Sequence, residues 1–86
     1  MKSRTTRGFR EAYAALPPEL REQVRRSYRL FRENPAHPGL RFKKIDEAAN
    51  IYSARVGLGC RVLGKLKGSE IVWFWIGSHG EYDKRT

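Results

Sequence analysis

Three segments with alternating apolar and polar residues, 50–56, 60–66 and 70–77, follow one another with only "GLG" and "KGSE" between them. Connectors this short cannot carry a chain across a sheet, so successive segments must pair as antiparallel hairpins. The C-terminal half is therefore committed to a β-meander. If Gly57-Leu58-Gly59 forms a three-residue loop, Val56 faces Cys60, Arg55 lies opposite Arg61, Ser53 opposite Leu63 and Ile51 opposite Lys65. Ala54, Val56, Cys60 and Val62 then share the other face. A two-residue loop would shift the pairing by one and separate the arginines. With the next turn at Gly68-Ser69, Leu66 meets Ile71, Gly64 meets Trp73 and Val62 meets Trp75, which predicts that both tryptophans are core residues and that Trp73 packs over a glycine. The last segment, "IVWFWI", is apolar on both faces and is expected to be the central strand, covered by helices on one side and by the C-terminal tail or another protein on the other.

Ahead of the meander the period changes. Leu20, Val24, Tyr28 and Phe31 recur every three or four residues between Pro18 and Asn34, predicting a helix that Pro17-Pro18 starts and Asn34-Pro35 ends. Phe9, Ala12, Tyr13 and Leu16 suggest a shorter helix joined to it at the Pro-Pro step, so the pair reads as a helical hairpin. Its outer face carries Arg21, Arg25, Arg26, Arg29 and Arg32, with Glu22 placed to pair with Arg26; a solvated face is the simplest reading of such a run. "NPAHPG" is a turn-rich connector, and "KSRTTRG" at the start reads as a fourth, edge strand. Helices packed on a small antiparallel sheet make an α+β fold, and 86 residues suffice for one domain, spanning 1–86, with a modest core.

Eighteen Lys and Arg against nine Asp and Glu give a formal net charge of +9, which attracts polyanions and acidic protein surfaces over long range. Cys60 is the only cysteine, so neither an intrachain disulfide nor a zinc ligand set is available, and a reducing cytoplasm fits best. Ile71–Ile76 is the longest apolar run, far short of a membrane span, and "MKSRTTRGFREAY" lacks the apolar stretch of a secretory signal. The expectation is a soluble, unexported protein whose partners are nucleic acid or an acidic chain.

Like charges directly opposed on paired strands cost about 0.2–1 kcal/mol, and two arginines cannot escape by losing protons. A phosphate between Arg55 and Arg61, accepting from both planar guanidinium groups, turns that cost into binding. The competing expectation is that Asp46, Glu47 or a C-terminal acid neutralises the pair. Lys43 and Lys44 extend the basic surface beside the strand entrance. In the tail, His79 and Tyr82 follow the last strand among glycines; a histidine there suits general acid or base work near neutral pH. Strict alternation puts His79 in phase with Trp73 and Trp75 rather than with Arg61, so a bulge near Gly77 or a tail folded over the sheet is needed to bring it to the arginines.

In this order, a helical hairpin, "HPGL" followed by a Lys-bearing segment, "YSARV", "RVLG" and "WIGSHGEYD" resemble the RelE/ParE superfamily of bacterial type II toxins over nearly the whole chain. The resemblance implies two N-terminal helices packed on an antiparallel sheet of three to four strands, neutralised by an acidic cognate antitoxin. Members similar to RelE cut messenger RNA on the ribosome without metal; members similar to ParE poison DNA gyrase instead; some relatives only bind their antitoxin. By position, Arg55 and Arg61 match the arginines of the central strands, His79 and Tyr82 the C-terminal acid-base and stacking groups, and Glu47 a glutamate that is catalytic in some members. Lys43 and Lys44 match the basic segment before the second strand, and Arg41 and Lys65 join them as RNA-phosphate contacts. His37 in "AHPG" is a turn residue, and His79-Gly80-Glu81-Tyr82 departs from the adjacent His-Tyr ending of one ribonuclease branch. The expected function is a cytoplasmic endoribonuclease toxin requiring no cofactor or metal, with gyrase inhibition or antitoxin binding alone as the alternatives.

Overall fold

The computed structural model describes residues 2–57, 59–78 and 80. Strand β1 (Lys2–Thr5) is followed by α1 (Arg7–Ala14), α2 (Pro18–Glu33), a single 3-10 turn (Pro38–Leu40) and then β2 (Lys43–Asp46), β3 (Ile51–Val56), β4 (Cys60–Lys67) and β5 (Glu70–Ser78). Helix α1 starts where Thr6 Oγ1 accepts from the Phe9 amide at 3.1 Å, satisfying one of the donors left over at a helix start. Helix α2 starts on Pro18, whose missing N–H is no loss in a first turn, and stops where Asn34 turns extended. Two arginines expected on the outer face instead fasten the helices together. Arg21 Nη1 donates to the Leu16 carbonyl at 2.7 Å, closing the end of α1, and Arg25 Nη1 donates to the Tyr13 hydroxyl at 2.7 Å. His37 is a turn residue as expected, its Nδ1 accepting from the Gly39 amide at 3.1 Å.

The sheet has five strands in the order β1-β5-β4-β3-β2, which corrects the expectation of three to four. It is also mixed: β1 runs parallel to β5, while the remaining pairs are antiparallel. A parallel edge is open to β1 because α1 and α2 carry the chain back before the meander begins. Strand β2, "KKID", escapes a reading by alternation because it is four residues long and rich in charge, features that suit an exposed sheet edge. The central strand is β4, and β5 is flanked by β4 and β1.

The β3–β4 hairpin has the expected register, with Val56 opposite Cys60 and Ser53 opposite Leu63. In the β4–β5 ladder Leu66 meets Ile71 and Gly64 meets Trp73 as expected, but Leu63 then meets Trp75 and Val62 meets Ile76. Phe74 is therefore an extra residue, a β-bulge that reverses the alternation of β5 beyond it. The expected pairing of Val62 with Trp75 fails for that reason. Trp73 joins the core, with its Nε1 donating to Ser3 Oγ at 3.2 Å, whereas Trp75 belongs to the opposite face. Gly64 is required where it stands: a Cβ there would come within 2.7 Å of Trp73 Cε3 and 2.9 Å of Ile71. The core fills the space between sheet and helices, with Phe9 of α1 and Phe31 of α2 set against Ala54, Val56, Val62, Ile71, Trp73 and Ile76. The Phe31 ring meets Trp73 edge-on at 5.3 Å between centroids.

Candidate phosphate-binding face of the sheet

Arg55 and Arg61 are directly opposed, as a three-residue loop requires. Arg61 is only 9 % exposed. Arg55 turns toward its own hairpin loop, where its Nε donates to the Gly57 carbonyl at 3.0 Å. That bond draws one guanidinium toward the loop and relieves the opposition of two fixed charges. The loop is itself held in place, since Gly57 adopts φ +63° and the Gln23 side chain of α2 packs where its Cβ would be. Helix α2 thus braces, from behind the sheet, the turn that holds Arg55.

Alternation and register assign the rest of this face. Ser53 lies two residues before Arg55, opposite Leu63 on β4 and Lys43 on β2. The bulge brings Trp75 opposite Leu63 and Gly77 opposite Arg61, so the end of β5 joins the arginine side. The objection that strict alternation keeps the tail away from Arg61 rests on a flat strand, which β5 is not. His79 and Tyr82 themselves lie outside the described residues.

Several sequence candidates are spread apart. Lys65 pairs with Ile51, four residues from Arg55 along β3 and so about 13 Å away. Lys44 pairs with Tyr52 on the helix side of the sheet, its Nζ 5.7 Å from the Tyr52 ring centroid and 3.3 Å from Glu47 Oε1. Glu47 follows β2 beyond the Ile51 end of the hairpin with its side chain 89 % exposed, so it is not brought to the arginine pair. Asp46 Oδ1 accepts from the Ala49 amide in the β2–β3 turn. Asp46 and Glu47 are thus engaged elsewhere, and the C-terminal acids, the third expected source of neutralisation, lie outside the described residues. Arg41 is exposed, in left-handed backbone at φ 45° just after the 3-10 turn. Lys43 is the lysine that register brings onto the arginine face next to Ser53.

The helix arginines form a separate system. Glu22 lies 2.7 Å from Arg25, 3.5 Å from Arg26 and 3.8 Å from Arg29. The hydrogen bond from Arg25, ahead of the charges of Arg26 and Arg29, holds the Glu22 carboxyl below its ordinary value, and Arg25 is raised in return. The expected Glu22–Arg26 pair is one part of this wider cluster. Between the helices and the sheet, a cleft of about 510 Å³ with a mainly apolar lining has Arg10, Arg25, Arg29 and Arg32 on its walls. Among the described residues, no group of three or more His, Cys, Asp and Glu is placed to hold a metal, and no helix is long and apolar enough to cross a membrane.

Two helices on one face of a five-stranded mixed sheet make a small basic α+β architecture that is shared with solved structures of RelE and YoeB/ParE toxins. The chain superposes on a chain of the RelB-RelE antitoxin-toxin complex from Methanococcus jannaschii with a TM-score of 0.74, 17% identity, and coverage of 95% of this chain and 96% of that one. The YoeB/ParE toxin from Agrobacterium tumefaciens gives 0.71 at 16% identity over 92% and 99% of the two chains, and the isolated E. coli RelE toxin gives 0.68 at 15% identity over 98% and 96%. At these identities the likeness is one of fold. No curated protein sequence matches the chain. The sequence pattern of the ParE-like toxin domain matches residues 18–84. The chain belongs to the ParE-like toxin family, within the RelE/ParE superfamily.

Proposed function

We propose that this toxin is an endoribonuclease that cuts messenger RNA at the ribosome. The observation that carries the reading is the opposition of Arg55 and Arg61 on one sheet face, with Lys43 beside them. In the reaction we infer, a ribose 2′-hydroxyl attacks the adjacent phosphate, leaving a cyclic phosphate and a free 5′-hydroxyl. The nucleophile comes from the RNA, so the protein must neutralise the crowded phosphorane and move protons. Arg55 and Arg61 serve the first need, placing fixed positive charge where negative charge develops. For the second, His79 is the acid for the leaving oxygen, and Tyr82 stacks on an unstacked base. Glu47, at the far end of the hairpin, is poorly situated as the base; Lys43 is the basic side chain nearest the pair by register. The reading requires no metal, so cleavage is expected to persist in EDTA.

An acidic antitoxin is the partner we infer. RelE is found with RelB in the complexes from Methanococcus jannaschii and Pyrococcus horikoshii. Support within this chain comes from its net charge of +9 and from the arginine-lined apolar cleft, which suits an acidic amphipathic segment.

The ParE-like domain match favours a second reading, inhibition of DNA gyrase, in which the basic face binds without chemistry. Inducible expression in bacteria, with primer extension on cellular messenger RNA beside a supercoiling assay on the purified chain, separates the two. New RNA ends with intact supercoiling support the ribonuclease; intact RNA with inhibited supercoiling supports the gyrase poison.

A further inference from the structure

We infer that Ser53 is a binding residue of the arginine face, its hydroxyl donating to an anionic phosphate oxygen held between Arg55 and Arg61; the inference rests on the phosphate-binding reading above. Ser53 is fully buried, and its Oγ has no hydrogen-bond partner among the described residues. An enclosed hydroxyl in that condition costs free energy that alanine at the same position would not.

The neighbourhood explains why no partner is found. On this face Ser53 has Leu63 directly across on β4, Lys43 directly across on β2, Arg55 two residues along its own strand, and Arg61 on the diagonal. Leucine has no polar group, and lysine and arginine side chains carry donors without an acceptor. Strand β3 is internal, its backbone paired to β2 on one side and β4 on the other. Among the described residues everything polar nearby can only donate, which leaves the hydroxyl proton without an acceptor there. The flanking cations Lys43, Arg55 and Arg61 select an oxyanion for that place. Spacing permits a shared ligand, because residues two apart on a strand are about 6.6 Å apart and diagonal cross-strand neighbours about 7–8 Å. Arg55, half-buried and drawn to the loop by its bond to Gly57, is the side chain that must shift to admit it.

The test uses the full chain as wild type, Ser53→Ala and Ser53→Thr. Each is titrated with inorganic pyrophosphate and with a 2′-O-methyl RNA tetranucleotide that cannot be cleaved, and thermal melting is followed in parallel. Ser53→Ala is expected to melt no lower than wild type yet bind both probes about tenfold more weakly, the scale of one hydrogen bond to a charged group, while Ser53→Thr retains binding. Unchanged pyrophosphate affinity in Ser53→Ala overturns the inference, as does a wild type that binds no pyrophosphate. A fall in the Ser53→Ala melting temperature beyond about 6 °C also overturns it, since the hydroxyl would then be supporting the fold. Pyrophosphate binding that weakens in Ser53→Ala while wild type ignores the RNA keeps Ser53 as an oxyanion ligand and removes the RNA reading.

Discussion

At position 61 a guanidinium only 9 % exposed stands opposite a second guanidinium. If its use is to stabilise a phosphorane, Arg61→Gln is expected to slow single-turnover RNA cleavage by about 10²–10³-fold, the scale of losing one such donor. Arg29→Ala, which removes an exposed member of the Glu22 cluster, is expected to leave that rate within about twofold, in keeping with the small value of surface pairs. Comparable losses in the two variants would mean that overall charge, and not the pair, drives the chemistry. The pair itself was legible in the sequence because loop length and two glycines set the register. The position of Glu47 was not, because a local match near a strand end does not say which end of a hairpin it falls on. Ser53 could be assigned to the right face, but an enclosed hydroxyl surrounded by donors becomes visible only once neighbouring strands are in place.

Among the elements, the hairpin between β3 and β4 depends on a helix behind it. Gly57→Ala is expected to destabilise the fold by about 1–2 kcal/mol from its positive φ alone, and further through collision with Gln23. Chemical denaturation of the double variant with Gln23→Ala should recover the collision part and leave the backbone part. Gly64→Ala forces a methyl group against Trp73 and Ile71, with an expected cost of about 1–3 kcal/mol. On α2, the lowered Glu22 carboxyl favours the folded state when ionised. Its contribution is present above the ordinary carboxylate range and lost as pH falls through the lowered folded value. Melting temperature followed from neutral to acid pH should therefore decline less steeply in Glu22→Gln than in wild type. The period of α2 was readable because its apolar residues share one stripe. The use of Arg21 and Arg25 as inter-helix fasteners was not, since outward spacing conceals a partner on the preceding helix.

Over the whole molecule, charge is divided between two unlike surfaces. Helix α2 carries arginines gathered around Glu22, whereas the far side of the sheet gathers Arg55, Arg61 and Lys43, with Lys65 farther along. If RNA follows those four cations, its affinity should fall with salt at a log–log slope of about −3, measurable with the uncleavable oligonucleotide. A slope near zero would remove the phosphate contacts from the reading. Chain order and antiparallel pairing over residues 51–78 were legible because short turns leave the backbone few choices. The edge strand at the N-terminal end was legible too, but its parallel pairing with β5 was not, because nothing in four residues announces a partner nearly seventy positions away. The extra residue at Phe74 works as a half-step in the phase of β5, giving one strand a Trp for the interior and another for the arginine side. Removing that residue would leave Trp75 opposite Leu63 and Ile76 opposite Val62 on an unbulged strand, so both surfaces would keep their occupants, whereas one further residue inserted after Phe74 would take Trp75 into the packed interior and Ile76 out of it. A single-codon insertion there would thus act as an inversion of a strand end, with the fold and the candidate site disrupted together, while a deletion would be the milder change.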